Sequence, residues 1–225
     1  MIRLIFIPQL HGLPNVEYNS KNKMHRKIVI CQKKIIKLVS ELVKKGKKIN
    51  IYSEDSLYKF HNHSPVLENL LESIDDISDD YLFNYGASKI LKSIYPEQID
   101  LVPIINNSKY SLRHRGKSLL KKSLNKSKRK QLHTLMYHNR ETDILSHIYK
   151  DQQNKDEDET NILIFGSAHN FLDFNKVPEI NKLFSIKLVN NRYFKQLFKK
   201  YKHKKSKTTQ KKRRSTFSVI KTAKI

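Results

Sequence analysis

Four side chains suited to moving protons or holding charge recur at comparable points in this sequence. His11, Glu54 and His169 each follow closely on a short apolar run, and Arg140 lies within a helical pattern. An imidazole with its ordinary pKa of about 6.5 can take or give a proton at neutral pH. A carboxylate can orient that imidazole, act as a base or bind a cation. Two histidines and a glutamate could together hold a divalent metal ion that activates water, so His11, Glu54 and His169 are also candidate metal ligands. An arginine could stabilise oxyanion charge. Pro8, Gly166 and Ser167 flank the two histidines and are expected to form the loop that a ligand approaches, Gly166 letting the backbone turn sharply. Gly166-Ser167-Ala168 lacks the second glycine of a nucleophile elbow, which argues against a serine nucleophile.

These residues need a scaffold, and the hydropathy pattern supplies one. Met1–Ile7, Ile49–Ser53 and Asn161–Phe165 read as buried strands, with Leu101–Ile105 and Ser185–Val189 as further candidates. Between them, helices are expected at Lys27–Lys45, Val66–Ile74, Tyr81–Ile94, Gln131–Lys150 and Val177–Phe184. Gly46 marks a helix stop, and Ser64–Pro65 a helix start. This alternation predicts an α/β fold, a mostly parallel sheet covered by helices on both faces. In such sheets ligands bind beyond the carboxyl ends of the strands, where His11, Glu54 and His169 fall. Wet loops also follow strands, so polar residues there have a plainer origin. Arg140 shares the row Leu132, Met136, Ile144 and Ile148. It is therefore expected on an inward face, either meeting an acceptor or carrying its charge outward on its apolar stem.

The arrangement resembles the superfamily of Tiki, TraB, ChaN and the erythromycin esterases. The resemblance rests on a G-x-x-H motif at Gly166–His169, on Arg140 in Asn139-Arg140-Glu141 upstream of it, and on Glu54 closing Ile51-Tyr52-Ser53-Glu54 after a helix containing Gln32. It extends over residues 1–190. The first motif departs from the pattern, with Pro8 in the glycine position of Pro8–His11. Members include metal-dependent peptidases, esterases and a haem-binding lipoprotein. The resemblance thus implies a hydrolase of peptide or ester bonds, with His11 and His169 as ligand or general base, Glu54 as base or ligand, and Arg140 as an oxyanion or carboxylate partner. A haem-binding relative without turnover is a further expectation.

The chain has 225 residues, a formal net charge of +24 and one cysteine, Cys31. A single cysteine excludes an intrachain disulfide and any multi-cysteine metal site. No apolar run approaches the roughly 18 residues of a membrane span, and Ile2–Ile7 is too short for a signal-peptide core, so a cytoplasmic protein is expected. The domain is expected to cover residues 1–192, with a basic tail over 193–225. Lys195–Arg214 holds eleven Lys or Arg and no acid. Lys204, Lys205, Lys211, Lys212, Arg213 and Arg214 are candidates for contact with nucleic acid or an acidic membrane surface, and the interleaved Phe194, Phe198, Tyr201 and Phe217 for stacking or membrane-surface contact. A nucleic-acid-binding protein is therefore the alternative function.

Overall fold

The computed structural model describes residues 1–11, 16–53, 77–104, 140–153, 155 and 159–201. Five strands, β1 (Ile2–Gln9), β2 (Ile49–Ser53), β3 (Ile99–Pro103), β4 (Thr160–Gly166) and β5 (Phe184–Leu188), form one sheet in the order β3-β2-β4-β1-β5. Every pairing is parallel, so the expected α/β architecture is observed. Side chains alternate across the strands. Ile7, Ile49, Ile51, Ile162 and Ile164 face one layer, and Leu4, Phe6, Tyr52, Leu163 and Phe165 face the other.

On the first face lie α1 (Lys23–Val43), α2 (Asp79–Tyr85) and α3 (Ala87–Ile94). Asn22 caps α1, its side chain accepting from the Met24 and His25 amides. Behind α1, Gly46 has φ 74°, the left-handed conformation that ends a helix. The single helix expected over Tyr81–Ile94 is broken at Gly86, whose φ of 75° no helix tolerates, so α2 and α3 are separate. The other face carries helical residues 140–152 (α4), a 3₁₀ segment at Phe171–Lys176 and the short α5 (Pro178–Asn181). Polar contacts fix the carboxyl end of α4 to the sheet. The Tyr52 hydroxyl donates to Asp151 at 2.6 Å, and Asn161 donates to Gln152 at 3.0 Å. Burial, and then the Asp151 carboxylate, push the Tyr52 hydroxyl pKa far up, so it stays protonated as the donor.

Three expectations need correction. Pro8 is not a loop residue. It lies within β1, in register with Phe165. The Phe6 carbonyl accepts from Val189 on the β5 side, and the Gln9 carbonyl accepts from Ser167 on the β4 side. By alternation Pro8 points toward β5, whose pairing stops at Leu188 opposite Phe6. The missing N–H therefore costs no ladder bond. Pro103 is tolerated for a related reason, ending the edge strand β3.

The boundary expected at 193 is also displaced, because Arg192–Tyr201 forms α6. Phe194, Leu197 and Phe198 are buried, and Phe198 meets Phe6 edge-on at 5.8 Å. Phe194 and Phe198 are thus core side chains, not stacking platforms. Residues 54–76 and 105–139 lie outside the described residues. So do 202–225, including Lys204, Lys205, Lys211, Lys212, Arg213 and Arg214. Among the described residues no helix is long and apolar enough to cross a membrane.

If α6 is integral to the fold, Phe198→Ala should cost about 3–5 kcal/mol, the usual result of emptying a buried aromatic site. Urea unfolding followed by circular dichroism measures this. A tail residue would leave the midpoint unchanged.

Candidate functional site

The two faces of the sheet meet at its carboxyl edge between β1 and β4. These strands are hydrogen-bonded neighbours, with Gln9 opposite Gly166. After β1 the chain enters α1 on one face. After β4 it enters the 3₁₀ segment and α5 on the other. Neighbouring strands whose connections depart to opposite faces define a topological switch point, where a crevice opens. His11 follows β1 by two residues and His169 follows β4 by three, so both histidines emerge at this point. Ser53, the last residue of β2, lies on the other side of β4. Glu54 itself is outside the described residues.

The second motif is a tight turn. The Ser167 amide donates to Gln9 O at 2.9 Å, prolonging the β1–β4 ladder, and the His169 amide donates to Gly166 O at 3.0 Å. Gly166 is thus the last strand residue and the first position of the turn. The turn forms without positive φ at Gly166, which among the described glycines belongs to Gly46 and Gly86. Ser167 is buried within the turn. The turn folds the His169 ring back onto the end of its own strand. It stands edge-on to Phe165 at 4.8 Å and stacks with Phe171 at 5.9 Å.

Facing that ring is a carboxylate that the sequence reading passed over. Glu141, in the first turn described for α4, is fully buried, and His169 is 3% exposed. Glu141 Oε1 accepts the Asn170 amide at 2.8 Å and lies 3.5 Å from His169 Nδ1. The shorter contact is a hydrogen bond. The longer one is an ion-pair distance and exceeds good hydrogen-bond length. Arg140, 9% exposed, holds its guanidinium carbon 5.0 Å from the centroid of Phe165. The inward row expected for Arg140, Ile144 and Ile148 is therefore observed, and Glu141 shares that face with Leu145. A glutamate three and four residues ahead of buried aliphatics was the available signal.

On the opposite face the end of β1 is fixed by Gln32, 1% exposed. Its amide nitrogen donates to Leu10 O at 2.6 Å and its oxygen accepts the Ala87 amide at 2.7 Å. The Leu10 amide donates to Cys31 Sγ at 3.3 Å. These bonds set the backbone immediately before His11, which is half-buried. Ser88 donates to Ser53 at 2.7 Å, joining α3 to the end of β2.

Among the described residues no three His, Cys, Asp or Glu side chains cluster so as to hold a metal ion. The set His11, Glu54 and His169 extends beyond those residues at Glu54. What the described side chains assemble is a buried imidazole–carboxylate pair beside an arginine. Comparison with protein-family models, with curated proteins and with solved structures finds no match to this chain in any of the three.

Glu141→Leu should destabilise the fold by about 1–3 kcal/mol, since it strips the buried Asn170 N–H of its acceptor. Glu141→Gln, which keeps an acceptor oxygen there, should recover most of that loss. Chemical denaturation of both variants measures the difference.

Proposed function

We propose that the chain is a hydrolase of ester or peptide bonds whose proton-transfer group is His169. The observation that carries this reading is the buried Glu141–His169 pair at the β1–β4 switch point. Glu141 stands on the Nδ1 side of the ring, and Nε2 is assigned as the atom for proton transfer. A carboxylate in that position stabilises the imidazolium formed when Nε2 accepts a proton. Low exposure of both partners strengthens their attraction, because little water screens it.

The reaction would run through general base and then general acid catalysis. Nε2 takes a proton from a water molecule as its oxygen attacks the substrate carbonyl. The same nitrogen then returns that proton to the departing alkoxide or amine. Arg140 precedes Glu141 on α4 and lies over the last aromatic ring of β4. Its fixed positive charge would stabilise the carbonyl oxygen as negative charge develops there. His11, on the β1 side of the crevice, would contact the substrate or the leaving group. Glu54 retains its role as a candidate base or ligand, joined to β2 directly after Ser53. The resemblance to the Tiki, TraB, ChaN and erythromycin esterase superfamily points to the same reaction class and to the same two histidines.

The test compares wild type with His169→Gln and Glu141→Gln on p-nitrophenyl acetate, p-nitrophenyl butyrate and casein-derived peptides. Each is assayed after dialysis against EDTA and again with added Zn²⁺ or Mn²⁺. Loss of general acid–base catalysis should lower kcat by about 10²–10⁴-fold for His169→Gln. Glu141→Gln should lower kcat with little change in KM, while both variants still melt cooperatively. Equal rates for wild type and His169→Gln would make the pair a packing element of the core and end the proposal.

A further inference from the structure

The apolar faces of α1 and α6 are consumed by the core, and their outer faces carry a dense, almost acid-free array of cations. Along α1 the residues Lys23, Lys27, Lys34 and Lys37 recur at helical spacing, with Ile30 among them and Glu41 as the helix's one acid. On α6, Arg192, Lys195 and Lys199 do the same, and the helix holds no acid. The two arrays adjoin. Lys34 Nζ stands 5.1 Å from the centroid of Tyr193 on α6, and burial of that ring, together with the neighbouring Cys31 thiol of α1, pushes the Tyr193 hydroxyl pKa up. Asn190, Arg192, Lys195, Gln196 and Lys199 line an open depression of about 410 Å³. Lys195 is held there by the Asn190 side-chain oxygen at 2.7 Å.

We infer that the paired outer faces of α1 and α6 form a rigid docking surface for the sugar–phosphate backbone of a nucleic acid. This surface is separate from the crevice between β1 and β4 and does not depend on the hydrolase reading. Fixed cations on a helix of 21 residues, about 30 Å long, match a linear run of phosphates. Phe194 and Phe198 point into the core and Tyr193 and Tyr201 are partly buried against it, so α6 presents no fully exposed ring to unstacked bases. Recognition is therefore of phosphates, indifferent to base sequence, and duplex binds at least as well as single strands. An acidic membrane is the less suitable partner. Helices that lie on membranes insert an apolar face, and here that face packs on the sheet, leaving Met24 and Ile30 as the exposed large apolar side chains of α1.

The experiment uses the full chain and a fluorescein-labelled 20-base-pair DNA duplex, followed by anisotropy from 50 to 300 mM salt. One variant carries Lys34→Gln, Arg192→Gln and Lys195→Gln. A control removes three exposed lysines elsewhere, as Lys150→Gln, Lys182→Gln and Lys187→Gln. Loss of three phosphate contacts should reduce the slope of log K against log salt by about 2.7 and weaken binding about tenfold or more at 100 mM salt. The control should shift both far less. Equal effects of the two triples would assign binding to net charge alone and overturn the proposal. So would duplex binding unchanged by the helix triple, including the case in which only binding to phosphatidylserine vesicles is lost. Circular dichroism confirms that both variants fold.

Discussion

A carboxylate removed completely from water dictates how its surroundings are built. Burying Glu141 costs several kcal/mol unless donors and positive charge replace its hydration. Two such partners come from one short stretch, the Asn170 amide and the His169 ring. Both sit just beyond β4, and their positions follow from the turn closed by the His169 amide on Gly166. The acid therefore locks the amino-terminal part of α4 to the exit of the central strand. The opposite end of α4 is held by Tyr52 and Asn161 through Asp151 and Gln152. The arginine beside the acid lies over the Phe165 ring.

The same edge of the sheet is organised differently on its other face. There the polar group is neutral, and Gln32 satisfies one carbonyl and one amide that would otherwise be orphaned. It links the exit of β1 to the start of α3, where Gly86 has ended the preceding helix. A charged, aromatic-lined cluster on one face and an amide brace on the other thus flank the switch point between β1 and β4. The brace positions backbone, and the charged cluster supplies groups that can exchange protons.

Much of the scaffold was legible in the sequence, for identifiable reasons. Short apolar runs such as Ile49–Ser53 and Asn161–Phe165 bury both faces in a sheet covered on both sides, as central parallel strands do. The inward face of Arg140 followed from its spacing to Ile144 and Ile148. Strand order did not follow, because pairing partners are set by contacts remote in sequence. β4 lies between β1 and β2, so its exit adjoins the exits of both. Glu141 was not legible as a site residue because an acid within a polar stretch of a helix resembles an ordinary solvated residue. In α6 the lysines concealed a regular spacing of Phe194, Leu197, Phe198 and Tyr201, and charge content outweighed periodicity. Glu54 and the distal basic residues stand outside the described residues, so their part in the site rests on sequence.

Pro8 has an effect that reaches beyond β1. An imino ring with no proton to offer, turned toward the outermost strand, sets a limit on how far that strand can run alongside its neighbour. Beyond Leu188 there is no donor left to zip against, and the polypeptide must leave the plane of the sheet. It does so within four residues and starts a new helix. Among the described residues no further strand follows β5 beside β1, and the cationic helix is launched from a spot that one ring closure has chosen.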